Sequence, residues 1–189
     1  MLADDAGVAE VEILLLDGIG PPLAARIASR LSARLAASCR VTASSPSPPP
    51  RTLPDRDQLD ADALLGGLEA RPARERAVLV GLTLRDIAVP IFTFVFGRAR
   101  QGAHAALVSL ARLDPAFYGL PADPGLLARR AADEVAHELG HAAGLVHCRD
   151  ASCLMSFAGS VEKVDTRGSF FCGECRRLLP PWLAGSGRG

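Results

Sequence analysis

HELGHAAGLVHCRDASCLM, residues 137–155, carries three of the four histidines in this 189-residue chain. His137 and His141 are four residues apart, so on a helix they share one face, a turn apart. His147 cannot join them by continuing that helix. Ten more helical residues would carry it about 15 Å along the axis, whereas a zinc–nitrogen bond is about 2.0–2.1 Å. The helix therefore has to stop, and Gly144 is placed to stop it, because glycine takes the left-handed conformation at little cost. Glu138 follows His137, roughly 100° round the helix. It is thereby kept out of the ligand set but within reach of a water. Three neutral imidazoles would leave zinc one open position, where bound water has its pKa lowered toward about 7. Ligands His137, His141 and His147, a water and the base Glu138 make up a centre for hydrolysing peptides.

Two cysteines follow at once. Cys148 adjoins His147, Cys153 lies five residues on, and CGEC brings Cys172 and Cys175. Four thiolates in tetrahedral array make a closed structural zinc site. It would pin the turn at Met155 to the C-terminal segment. The alternative is two disulfides or unligated thiols. Cys39, the fifth cysteine, reads as a small buried apolar residue.

Composition narrows the classes. Formal net charge is zero, which gives nothing to steer the protein toward nucleic acid or an anionic membrane. The opening MLADDAGVAEVE is acidic where a secretory leader is basic. The cleanest apolar run, 88–96, is nine residues with Pro90 inside, and a spanning helix needs roughly 20. The expectation is a cytoplasmic protein whose paired cysteines bind metal.

Patterning places these motifs on a scaffold. Residues 11–16 (VEILLL) read as a buried strand. Pro21 and Pro22 suit the first turn of a helix reaching about Ala37, with Leu23, Ile27, Leu31 and Leu35 at helical spacing. A second strand at 39–43 makes a βαβ start. Residues 44–56 are a proline-rich surface loop. A helix over 59–68 and strands over 77–84, 91–97 and 105–113 follow, then a long helix over 124–144. The expected fold is α+β: one compact domain over 1–189, with a mixed twisted sheet of about five strands, an active-site helix and a zinc-stapled C-terminal segment over 137–175.

HExxHxxGxxH is the metzincin signature. With Cx4C, Leu-Met and a later CxxC it resembles the archaemetzincin (archaelysin) family of zinc peptidases. The likeness extends upstream through DIAVPIFTFVFGRARQGAHAALVSLARLDPAFYGLP. The resemblance implies a compact metzincin fold, a catalytic zinc on His137, His141 and His147, Glu138 as base, and a second zinc on Cys148, Cys153, Cys172 and Cys175. It also implies a methionine turn at Met155 beneath the histidines. The proline-rich stretch and a slightly short spacing from Met155 to Cys172 depart from the family pattern without touching a ligand.

The leading expectation is thus a monomeric zinc-dependent peptidase with two zinc ions and a peptide or protein substrate, and no nucleic-acid or membrane partner. The alternative is a non-catalytic zinc-binding interaction module on the same fold, against which intact Glu138 argues. A third reading, a zinc-ribbon-like nucleic-acid binder, would draw on Arg176, Arg177 and Arg188 and is opposed by the zero net charge. His104 reads as a surface or core histidine and Tyr118 as structural. Residues 91–97, preceded by a proline that cannot donate to a ladder, are expected to be an edge strand beside the cleft, antiparallel to bound substrate.

Overall fold

The computed structural model describes residues 10–43, 51–72 and 77–184. The proline-rich loop lies outside the described residues over 44–50, as does Arg188; the remainder of the loop, 51–56, has no helix or strand beyond a single bridge from Thr52 to Leu59. Strands are β1 (Glu10–Leu15), β2 (Ser38–Ala43), β3 (Leu59–Asp60), β4 (Ala77–Thr83), β5 (Ile87–Ala88), β6 (Gly97–Ala99) and β7 (Ala105–Ser109). Helices are α1 (Pro21–Ser32), α2 (Ala61–Glu69), α3 (Pro124–Ala142), α4 (Val161–Thr166), α5 (Gly173–Leu178) and α6 (Pro181–Ala184).

The main sheet has five strands in the order β2-β1-β4-β7-β6. Its first four run parallel, and β6 pairs antiparallel with β7 at the edge. A parallel sheet must bury both faces, and here period-2 alternation divides one strand between two layers. Val11, Ile13 and Leu15 join the core formed with α1 and α3, while Leu14 packs with Leu64, Leu65 and Leu68 of α2. The α+β expectation with a mixed five-strand sheet therefore holds.

Three element assignments need correction. The first helix stops at Ser32 rather than near Ala37. Beyond it the chain turns so that the Ala36 N–H donates to the Trp182 carbonyl and Arg34 pairs with Asp133. Strand β7 ends at Ser109, where the chain tightens into 3-10 turns over Ala111–Leu113 and Pro115–Tyr118.

The third correction concerns 91–97. The strand there is only Gly97–Ala99, and residues 91–96 are irregular. The backbone groups of 92–95 find partners outside the main sheet. Phe92 N–H donates to the Val89 carbonyl, Val95 N–H to the Ile87 carbonyl, and the Phe92 and Thr93 carbonyls accept from Arg56 and Gln58 side chains. The aromatic alternation that looks like a strand has another use. Phe96 is buried, Phe94 stacks edge-on to it at 5.2 Å, and Phe92 is exposed on a cleft wall.

Candidate active site

Helix α3 aims the site. Asp123 caps its start, accepting from the Gly125 and Leu126 N–H groups at 2.9 Å. Its end is a Schellman turn. The Gly144 N–H donates to the His141 carbonyl and the Leu145 N–H to the Gly140 carbonyl, both at 2.9 Å. Gly144 carries the left-handed φ of 103° that this turn requires. The chain then doubles back, and His147 reaches the face that holds His137 and His141. The expected helix end at Gly144 is thus two residues late, and the role given to its glycine is correct.

The three imidazoles converge. His141 Nε2 lies 3.1 Å from His137 Nε2 and 3.3 Å from His147 Nε2. The Nδ1 atoms of His137 and His141 each lie 2.8 Å from a backbone carbonyl, of Leu154 and Leu145 respectively. A ring nitrogen beside a carbonyl must carry the proton, which leaves both Nε2 lone pairs free to face the centre. Burial lowers the His137 pKa well below its ordinary value, and the Arg167 guanidinium adds to the effect. Burial lowers His141 and His147 as well. All three rings are therefore neutral near pH 7, the state a metal needs.

Glu138 is buried on the same helix. Burial raises its pKa well above the carboxylate range, the nearby Glu134 charge raises it further, and Arg167 and Arg98 oppose them. A cleft of about 390 Å³ opens over these groups. Phe92, Phe94 and Val95 contribute one wall, and Phe157 to Gly159 the other.

Two residues of this cleft, Glu134 and Arg167, have no place in the motif. Both are buried, and Arg167 Nη2 donates to Glu134 Oε2. Arg167 Nη1 also packs 3.2 Å from His137 Nδ1. Glu134 was findable from sequence, since it lies one turn before His137 on the same face. Arg167 was not, because nothing local marks it.

Behind the histidines sits a second donor set. The sulfurs of Cys148, Cys153, Cys172 and Cys175 all lie within 4.8 Å of one another, as do the histidine nitrogens among themselves. None of the four is joined in a disulfide, and the cluster of four has the make-up of a metal site. Cys153 Sγ accepts from the Met155 and Cys172 N–H groups. These bonds tie the turn to the C-terminal segment. Met155 is fully buried under α3. Tyr118 donates to the Arg112 carbonyl at 3.0 Å and does not line this cleft; nor does His104. Cys39 is half-buried against the core of α1 and α3.

A family profile described as peptidase family M54 matches residues 72–180. The chain belongs to peptidase family M54, the archaemetzincins. It is 47% identical to an archaemetzincin of Pyrococcus horikoshii over 111 residues, which are 59% of this chain and 58% of that one. It thus spans less than two thirds of that relative's length. Solved structures extend the likeness to the whole fold. One is a zinc-dependent peptidase from Methanocorpusculum labreanum, with TM-score 0.81 at 27% identity, covering 90% of this chain and 100% of that one. Another is the archaemetzincin of Methanopyrus kandleri, with TM-score 0.75 at 32% identity, covering 94% and 97%. The N-terminal third, whose sequence resembles the family only in pattern, therefore shares the archaemetzincin fold.

Proposed function

We propose that the chain is a zinc-dependent peptidase with two zinc sites, a catalytic one on His137, His141 and His147 and a structural one on Cys148, Cys153, Cys172 and Cys175. The observation that carries this is the convergence of three imidazoles, two with Nδ1 bonded to a carbonyl, beside a buried glutamate in an open cleft. That donor set fits zinc, which takes neutral imidazole and keeps an open position in catalytic sites. The four thiols fit the closed, all-cysteine type of structural site. Zinc bound to the histidines would supply a water of lowered pKa and polarise the scissile carbonyl.

The protein's own groups do the rest. Glu138 is the base: its carboxylate takes a proton from the attacking water and returns it to the leaving amine.

The edge strand holds the peptide. Ser109 N–H donates to the Phe96 carbonyl, and Arg98 stands opposite Leu107 two residues along. In an antiparallel ladder this alternation turns the N–H and C=O of Gly97 and Ala99 away from β7, on the side where the sheet has no further strand among the described residues. An extended peptide pairs there by β-augmentation, with large side chains against the exposed Phe92 and Phe157. We take the protein to be a cytoplasmic monomer.

The test is to incubate the zinc-loaded full chain with a peptide library and sequence the products. Cleavage that stops on chelation and returns with zinc is expected. No cleavage of any peptide would overturn the reading in favour of the non-catalytic module.

A further inference from the structure

Gly97 stands at the first position of β6, paired regularly with Val108. Glycine weakens a strand, and inside one it often marks a close approach by another group. Its backbone does not demand glycine, since its φ lies outside the left-handed region that Gly102, Gly119 and Gly144 occupy. The demand is steric. A Cβ built on Gly97 would meet Glu138 Cγ and Oε1 at 2.6 Å and Cδ at 2.8 Å. All three atoms belong to the side chain of Glu138, which lines the same cleft as the three histidines.

We infer that Gly97 is a positioning residue for Glu138: the missing side chain at the head of the edge strand is the seat of the carboxylate. Helix α3 fixes where Glu138 starts, but its side chain has several rotatable bonds and α3 alone does not fix where it ends. The sheet edge supplies the other wall. Any side chain at 97 would take the space of the carboxylate and turn it out of its seat beside the histidines. The same residue offers its outward N–H and C=O to the peptide, so the base and the strand that holds substrate are set against each other at one position. A shift of about 1 Å in a reacting group can cost about 100-fold in rate. The steric part of this inference stands on the contact alone; its catalytic consequence rests on the peptidase reading above.

The experiment is a double-mutant cycle on the full chain with Gly97→Ala, Glu138→Ala and both together, read first by thermal unfolding of the zinc-loaded proteins. Gly97→Ala is expected to lower Tm by about 2–4 °C while Glu138 is present. In the Glu138→Ala background it should leave Tm unchanged or raise it, because the methyl then enters vacated space. Equal shifts in both backgrounds overturn the inference. Should Gly97→Ala fail to fold, a folded double variant supports it and an unfolded double variant overturns it. On zinc-loaded protein, Gly97→Ala should lose about 100-fold in kcat, with KM within about twofold and zinc stoichiometry unchanged. Undiminished kcat overturns the catalytic part. Absence of peptide hydrolysis in the wild type is a failure of the peptidase reading instead, and the unfolding cycle still decides the contact.

Discussion

Gly140 and Met155 fit together through a missing side chain. A Cβ at Gly140 would lie 2.5 Å from Met155 Sδ and 3.2 Å from Phe171 Cε1. Gly140 is the residue just before His141, within the turn of α3 that carries the histidine pair. The methionine turn therefore presses directly on the backbone that aims His137 and His141, and Leu154, next to Met155, accepts from His137 Nδ1. Gly140→Ala should force Met155 aside. Overpacking of this kind costs about 1–3 kcal/mol. Zinc affinity at the histidines should fall with it. Denaturant unfolding and a zinc competition titration read the two effects; unchanged values in both would mean the thioether simply swings clear.

The two donor sets should separate by mutation. Glu138→Ala should abolish hydrolysis while elemental analysis still finds both zinc ions, since it removes a base and no ligand. Cys172→Ser should lose one zinc and lower thermal stability, because metal binding and folding are coupled at such a site. Full turnover in Glu138→Ala would contradict the assigned mechanism.

Gly168 is held still more tightly, against backbone rather than side chain. A Cβ there would come within 1.8 Å of the Ser152 carbonyl oxygen. Neither segment can yield by a rotamer change, so the turn carrying Cys153 would have to move. Gly168→Ala should destabilise by about 2–4 kcal/mol, the upper range for a single substitution, and weaken the cysteine site. Chemical denaturation with zinc release followed by a colorimetric chelator measures both.

The buried Glu134–Arg167 pair, 5% and 3% exposed, should behave as a coupled unit. Arg167→Met strands an unpaired carboxylate next to His137, a loss of about 3–5 kcal/mol. Adding Glu134→Leu should recover much of it. If the two losses simply add, the pair is not coupled.

Acid should remove a defined part of the stability. Hydrogen bonds from Arg130, and secondarily from Arg129, hold the Asp165 pKa below its ordinary value against the opposing effect of burial. A depressed carboxylate stabilises the fold above its unfolded pKa, about 3.9, and that contribution is lost as pH falls through the lower folded value. The stability gap between wild type and Asp165→Asn should therefore be constant near neutrality and close below about pH 4. A gap independent of pH would show that the ion pair contributes no linkage.

Much of this was legible in the chain. The spacing of His137, His141, Gly144 and His147 decided the helix, its stop and the return of the third histidine, because helical register and the left-handed preference of glycine are local properties of the backbone. The cysteine spacing and the apolar runs of β1, β4 and α1 were readable on the same ground. Residues 91–96 misled, since alternating aromatics look alike whether they pair in a sheet or line a cleft. Tertiary structure alone decided that segment, the partnership of Arg167 with Glu134, and the reason for glycine at 97, 140 and 168. Each depends on which distant segment comes to lie within a few ångströms. That is set by mutual exclusion of volume between packed elements, of which a linear pattern carries no record.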